Sequence, residues 1–582
     1  MDRKFTPLAR TLLLLLSSAV LFLPATFGQT QPQAQIHSPA TPWWQHAIVY
    51  EIYPRSFQDT NGDGIGDIPG VIQRLGYLQQ LGVNAIWLTP IYPSPQKDFG
   101  YDISNYEAID PMYGTMADFD RLLSAAGTHH IHVLMDMVLN HTSDQSAWFK
   151  ESRSSRNNPK RDWYIWRDGK GPGIPPNNWE SAFGGSAWTY DPTTRQWYYH
   201  AFLAAQPDLN WRNPQVQKAM FDVCRFWLNK GVAGFRLDAV PNLFEDPQLR
   251  DEQVLPGKNA YGDPNLNPDR TEDLPEVHAV MRSLRKLVDS YPGHRVLIGE
   301  TYLPNIKDQL AWYGGARHDE LQLPMDMQVG FINRLDASTF REKINQAETQ
   351  LDGAMPLFVF DNHDNPRSWN RYGDGIHNQA IARIIATILL TTRSADLMYY
   401  GQEIGMTTTP PASLAQVRDP AALRGWPAYK GRDGERTPMQ WTSGKDAGFS
   451  TAATTWLPIP ASYKQVNVAA ESAQPGSLLN WYKRLIALRS QIPALYRGNN
   501  IMVDRSDPNV LSYLRRLPGQ TTAVLVAINF TAQPHTVSYH LRDQGIKTST
   551  AHALLRDQGV DQTVDLHHLT LPPFAVFVGQ IQ

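Results

Sequence analysis

AIVYEIYP (47–54), VIQRLGYLQQL (71–81) and AIWLTPIY (85–92) set the rhythm of this chain: a short apolar run, a helix-length segment, then a second apolar run. The runs are almost continuous in apolar residues, as strands covered on both faces are. The pattern returns at 132–139, 234–240, 295–301, 356–361 and 396–400, with a weaker strand over 320–327. Helical patterns such as Met116–Ala126 fall between them. Eight strand–helix units predict an α/β fold, a closed (β/α)8 TIM barrel. The alternative is an open doubly wound sheet, but no Gly-rich phosphate fingerprint follows the first strand.

Two regions break the rhythm. Residues 141–207 are aromatic and rich in Gly, Pro and Asn, and are too long for a simple connection. They predict a subdomain inserted after the third strand. From 496 to 582 the pattern changes to strands separated by polar turns, such as Ala523–Phe530 and Thr536–Leu541. That predicts a C-terminal antiparallel β-sandwich domain. The barrel is then built from 43–140 and 208–495.

The N-terminus carries Arg3, Lys4 and Arg10, an apolar run over 12–23, and small residues over 25–28. This is the pattern of a secretory signal over 1–28, cleaved after Gly28. A Pro/Gln-rich flexible leader follows over 29–42. The run is short for a spanning helix and no second one exists, so no membrane span is expected after cleavage. An uncleaved anchor is the alternative. The expected destination is the periplasm or the medium.

Cys224 is the only cysteine, so no intramolecular disulfide can form. It lies in the helix-like stretch Val216–Leu228 and reads as a buried inert thiol. A formal charge of -3 gives no electrostatic case for nucleic acid or an anionic membrane. The chain has 17 Trp and 24 Tyr, which can fill cores or stack on sugar rings; composition does not choose between these.

Charged residues gather where the strands end. Asp136, Asn140 and His141 close the third strand, Arg236 and Asp238 lie in the fourth, Glu300 ends the fifth, and His363 and Asp364 follow the seventh. The carboxyl ends of barrel strands are the face that carries barrel active sites. Arg236 and Asp238 are two apart on a strand and face one side. Arg236 is therefore expected to keep Asp238 ionised.

DMVLNH (136–141), GFRLDAV (234–240), GE (299–300) and NHD (362–364) resemble the four conserved regions of the α-amylase superfamily, glycoside hydrolase family 13. QPDLN (206–210) resembles the fifth region of its oligo-1,6-glucosidase and α-glucosidase branch. The resemblance runs from about 43 to the C-terminus, in family order. It implies that Asp238 is the nucleophile, Glu300 the general acid/base, and Asp364 the carboxylate that binds sugar hydroxyls in the transition state. Retaining hydrolysis of this kind needs an ionised attacking carboxylate and a protonated partner, about 5–5.5 Å apart. Glu300 should then have a raised pKa and Asp238 a low one. His141 and His363 match histidines that hydrogen-bond the sugar.

KDFGYD (97–102) resembles the family segment whose Asp and Tyr close the sugar pocket, here Asp98 and Tyr101. GRDGERTPMQW (431–441) resembles the segment whose Arg pairs with that Asp, here Arg432, with Arg436 as the fallback. A closed pocket implies exo action on short chains. Ala239 follows the nucleophile, where the resemblance links Val to α-1,6 and smaller residues to α-1,4 bonds.

DTNGDGIGD (59–67) offers Asp59, Asn61, Asp63, Asp67 and the Ile65 carbonyl as alternating oxygen ligands. These suit a structural Ca2+, or Mg2+ with more water. The first half resembles an EF-hand, but Gly70 stands where the bidentate Glu would be. The same loop occurs in the α-glucosidase branch as a structural cation site.

The expected function is an exported, retaining exo-α-glucosidase. It would cleave α-1,4 bonds of small α-glucosides or malto-oligosaccharides through a glucosyl–Asp238 intermediate. One alternative is an isomerase or transglycosylase of the same family, such as a trehalose synthase or sucrose isomerase. FRLDAVP resembles trehalose synthase equally, and Arg334-Leu335-Asp336 partly matches an isomerase loop motif. A second alternative is a non-catalytic binding or transporter-partner protein, against which all three carboxylates stand.

Overall fold

The computed structural model describes residues 41–557 and 559–581. The expected export signal (1–28) and nearly all of the leader (29–42) lie outside the described residues. Among the described residues, no helix is long and apolar enough to cross a membrane.

Eight parallel strands close into a barrel: β1 (Ile48–Ile52), β2 (Ala85–Leu88), β3 (His132–Val138), β4 (Gly234–Asp238), β5 (Val296–Gly299), β6 (Leu323–Asp326), β7 (Leu357–Val359) and β8 (Ala395–Tyr399). They neighbour one another in chain order and β8 pairs with β1. Each expected strand forms; seven lose one to four residues at an end, where the chain turns into a loop or helix, and the last is shifted by one residue, to Ala395–Tyr399.

Strand periodicity explains both the apolar runs and the site. Val49, Ala85, Leu134, Val296, Ile298, Leu357 and Leu397 share the barrel interior. Ile48, Tyr50, Ile86, Val133 and Met135, one residue out of step, pack outward against the helices. Two residues further along the interior face stand Glu51, Asp136 and Glu300. The barrel is therefore apolar at its base and charged at its carboxyl end. The covering helices carry sequence-encoded starts: Asp67 accepts from Gly70 N–H to cap Ile68–Leu81, and Thr115 with Asp118 forms a capping box for Met116–Thr128. Cys224 is buried in helix Pro214–Lys230, and burial pushes its thiol up to about 12.

The segment after β3 contains helix Ala147–Ser154 and a three-stranded antiparallel sheet in the order Trp166–Arg167, Gln196–Tyr199, Trp188–Asp191. Its own core gathers Ile165, Trp179, Trp188 and Tyr199. A ribbon after β4, Gln253–Lys258 paired with Pro264–Asn267, was not foreseen. Its first strand is fully exposed and lacks an apolar face, so periodicity gave no signal for it.

The C-terminal region is a six-stranded antiparallel sheet with a two-stranded one, His535–Val537 and Leu569–Leu571. Its central strand Ala523–Asn529 is buried throughout. Val524, Val526 and Ile528 join the barrel-side core, while Leu525 and Ala527 face the small sheet. The expected strand Thr536–Leu541 is corrected: only His535–Val537 is extended in a ladder. Beyond it Tyr539 turns inward to bond Ser512, and a 3-10 turn starts at Arg542.

Candidate active site

The charged ends of the strands converge on one pocket. It is lined by Asp98, Tyr101, His141, Phe183, Phe202, Gln206, Asp238, Ala239, Glu300, Asp364 and Arg432. Past Phe202, Ala239 and Glu300 it opens into a larger cleft bounded by Pro241, Asn242, Pro268, Glu272, Tyr302 and Asp308.

Arg236 organises the catalytic end. Its Nη1 donates to Asp238 Oδ1 at 2.7 Å and to Asp136 Oδ1 at 3.1 Å. Its Nη2 forms an ion pair with Glu300 Oε1 at 2.7 Å. The guanidinium lies over the Trp87 ring, 4.8 Å from its centroid, which adds a cation–π contact beneath the site. Glu300 Oε2 accepts from the Ala239 N–H at 2.9 Å. Ala239 adopts left-handed backbone (φ 44°), a conformation that turns the chain out of β4 and aims this N–H at Glu300.

One guanidinium thus serves three buried carboxylates. Burial raises Asp238 to about 7, against the pull of Arg236. Burial likewise raises Glu300 to about 7 and Asp136 to about 6. The expectation of a low pKa for Asp238 beside Arg236 is corrected: the charge of Arg236 is divided, and desolvation wins. Near neutral pH Asp238 and Glu300 compete for a proton, which is a property of the pair.

The opposite wall is richer in cations. Arg432 Nη2 reaches Asp98 Oδ1 at 2.9 Å, its Nη1 reaches Asp364 Oδ1 at 2.9 Å, and its Nε and Nη2 bond Asp419 at 3.0 Å. Arg436 Nη2 donates to Asp364 Oδ1 at 2.7 Å and its Nε to the His363 carbonyl. The fallback Arg436 therefore pairs with Asp364 and leaves Asp98 to Arg432. Burial works to raise Asp364, but His363, Arg432 and Arg436 outweigh it and hold the carboxyl well below its usual range. Asp419 is held at about 2 by Arg432 against burial. Asp98 has less help, and burial lifts it to about 6 against Arg432.

Asp98 sits in a tight loop. Gly100 has φ 110°, and a Cβ there would stand 2.9 Å from the Pro90 carbonyl oxygen. Gln206 Nε2 donates to Asp98 Oδ2 at 3.2 Å and faces His141 Nε2 at 3.1 Å. Burial pushes His141 down to about 3, so its ring is neutral and accepts there. Tyr101 donates to Asp136 Oδ2 at 3.0 Å and contacts His363 Nε2 at 2.8 Å. Asp98, Tyr101, His141, Asp238, Glu300 and Asp364 thus reach the pocket wall, with Arg432. Arg236 and His363 stand one layer behind it, each 1% exposed.

Sequence reading missed four contributors. Phe183, Phe202 and Gln206 come from the inserted segment, where no periodicity points at a pocket. Asp419, fully buried beneath Arg432, belongs to a loop after β8. Of these, Gln206 alone stood in a motif already singled out, QPDLN.

The loop 59–67 is separate from the pocket. Asp59 accepts from the N–H groups of Asn61, Gly62 and Gly64; Asp63 accepts from Ile65 N–H; Asp67 accepts from Thr60 and Gly70. Among the described residues, no three Asp, Glu, His or Cys side chains form a ready metal cage. Asn61 and Asp63 are exposed, and their all-oxygen donors fit a hard cation.

The model of the alpha amylase catalytic domain matches residues 51–498. A probable alpha-glucosidase of Rhizobium meliloti (strain 1021) is 41% identical over 486 residues, spanning 82% of this chain and 88% of the relative. An oligo-1,6-glucosidase of Parageobacillus thermoglucosidasius is 37% identical over 570 residues, spanning 93% and 99%. The crystal structure of isomaltulose synthase from Erwinia rhapontici NX5 aligns with TM-score 0.84 and 34% identity, covering 93% of this chain and 99% of that one. The chain belongs to the alpha-amylase family.

Proposed function

We propose that the protein is a retaining exo-α-glucosidase. One observation carries this reading: the pocket is walled beside Asp364 by the Asp98–Arg432–Asp419 cluster and joins the larger cleft past Phe202, Ala239 and Glu300. A terminal glucose fits such a blind end, with its hydroxyls facing charge-assisted partners, while the aglycone extends along the cleft. A mid-chain segment would need a second exit.

In this reading Asp238 attacks the anomeric carbon with the oxygen that Arg236 does not hold. The bond to the aglycone breaks as Glu300 gives its proton to the leaving oxygen. Water then replaces Asp238, passing a proton back to Glu300. Asp364, kept ionised by its two arginines, grips the sugar as charge develops. For the acid step Glu300 must be protonated and must release its ion pair with Arg236. Substrate binding, by filling the pocket, supplies the occasion for that rotation.

Incubation with maltose, isomaltose, sucrose and trehalose tests the reading. Glucose should be the main product, released first as the α-anomer, with maltose preferred over isomaltose. Accumulation of trehalose or isomaltulose with little glucose would instead support an isomerase, a reading favoured by the likeness to isomaltulose synthase. Arg334 and Asp336 do not support it: they line neither pocket nor cleft, and Asp336 caps helix Ala337–Gln350.

The same proposal extends to the N-terminus and the loop. Residues 1–28 direct export to the periplasm or the medium. Asp59, Asn61, Asp63 and Asp67, with the Ile65 carbonyl, hold Ca2+, or Mg2+, as a brace for the barrel. Chelation should lower Tm and added Ca2+ restore it; an unchanged Tm would remove the cation from the account.

A further inference from the structure

Among the buried acids that the chemistry above leaves unused, Glu51 stands nearest the pocket through His363. Glu51 lies on the interior face of β1, fully buried, beneath the residues that line the pocket. Its Oε1 stands 2.6 Å from His363 Nδ1, and its Oε2 has no hydrogen-bond partner among the described residues. The other imidazole nitrogen, Nε2, is 2.8 Å from Tyr101 Oη and 3.3 Å from Asp364 Oδ2. Tyr101 Oη is also 3.0 Å from Asp136 Oδ2. Asp364, Asp136 and Arg236 are charged groups that act on Glu51, and Tyr399 of β8 is its register neighbour.

Counting hydrogens along this chain decides its arrangement. Asp136 is bonded by Arg236 and is an acceptor, so the Tyr101 hydrogen belongs on the Tyr101–Asp136 contact. The Tyr101–His363 contact must then be bridged by a hydrogen on Nε2. That same hydrogen faces Asp364 Oδ2, where a bare Nε2 would set a lone pair against a carboxylate. The 2.6 Å Glu51–His363 contact needs a further hydrogen of its own. Glu51 and His363 together therefore hold two hydrogens and no net charge, the cheapest state for a buried pair. Burial acts in the same direction on both, raising Glu51 and lowering His363.

We propose that Glu51 is a positioning residue whose hydrogen, offered to His363 Nδ1, fixes the Nε2–H form of the ring, and so orients Asp364 and Tyr101 at the pocket wall. The kinetic part of its test rests on the glucosidase reading; the spectroscopic part does not.

Glu51→Gln keeps a donor facing Nδ1 through its amide, while Glu51→Leu removes it at similar size. Glu51→Gln should stay within about 3-fold of wild-type kcat. Glu51→Leu should lose about 10²-fold in kcat, the scale of a misplaced catalytic group, with KM changed far less. Wild-type kcat in Glu51→Leu, or an equal loss in both variants, overturns the proposal. If Glu51→Leu does not fold, 15N spectra of histidine-labelled wild-type protein decide, with His363 assigned by its absence in His363→Gln. Nε2 should carry hydrogen across pH 6–8; a bare Nε2 overturns the proposal. A wild-type protein inert on every α-glucoside would defeat the glucosidase reading and leave the spectroscopic arm standing.

Discussion

The two ends of the pocket use the same residue types in different proportion. At the catalytic end one arginine, Arg236, faces Asp136, Asp238 and Glu300. At the closed end two arginines, Arg432 and Arg436, face Asp98, Asp364 and Asp419. The second cation tips the balance against burial: Asp364 and Asp419 stay low, whereas Asp238 and Glu300 rise to about 7. Stoichiometry of charge, more than the identity of any one acid, separates a wall whose Asp364 and Asp419 stay ionised from one whose acids titrate near neutrality.

The comparison is broken most severely at the catalytic end. Glu300→Gln should lower kcat by about 10²–10⁴-fold, the range for losing a general acid. In the wild type, activity should fall as pH rises through about 7, because Glu300 must be protonated to act. That alkaline limb should vanish in Glu300→Gln; its persistence in a pH–rate profile would assign the acid elsewhere.

At the closed end, Arg432→Met strands Asp98 and Asp419 at once and leaves Asp364 to Arg436. It should cost about 3–5 kcal/mol of interaction, as breaking a buried charge pair does, seen mainly in kcat/KM for maltose. Arg436→Met should cost less, because Asp364 keeps Arg432. Equal losses would deny that Asp98 and Asp419 depend on Arg432 while Asp364 has both arginines.

Stability should respond with opposite signs at the two ends. Glu300 has a raised pKa in the fold, so its stabilising contribution is present at low pH and lost as pH rises through about 7. Glu300→Gln should therefore raise Tm at pH 8, by roughly 2–4 °C per kcal/mol relieved. Asp419 is depressed to about 2, so its contribution is present above about pH 4 and lost as pH falls through about 2. Asp419→Asn should lower Tm at pH 8. Thermal scans that move the same way would erase the contrast.

The smallest expected effect lies between the ends. Ala239 holds φ 44°, where a β-branched residue is disfavoured. Ala239→Val should cost about 1–3 kcal/mol of stability and shift the maltose-to-isomaltose ratio toward isomaltose. An unchanged ratio would remove Ala239 from the linkage argument.

The legible part of the site followed from strand parity. Asp136 and Glu300 continue interior faces whose lower residues are apolar, and Asp238 follows Arg236 on its strand, so the charges there stand out in sequence. Glu51 continues such a face too, yet inside AIVYEIYP a lone acid gives no hint of the histidine 312 positions away that it meets. Asp419, Phe183 and Phe202 were hidden for a different reason. They lie in irregular segments whose spatial partners are set by tertiary packing. The ribbon at 253–267 was illegible because its strands have no buried face. In the C-terminal region the strands were readable, and two cores cover Ala523–Asn529, one on each face.

The central claim is that Asp238 attacks while Glu300 moves the proton. Trapping with a 5-fluoro-α-glucosyl fluoride, followed by peptide mass spectrometry, tests it most directly. The account predicts a fluoroglucosyl ester on Asp238, absent in Asp238→Asn. An ester on another residue, or turnover that releases the β-anomer with no ester formed, would contradict it.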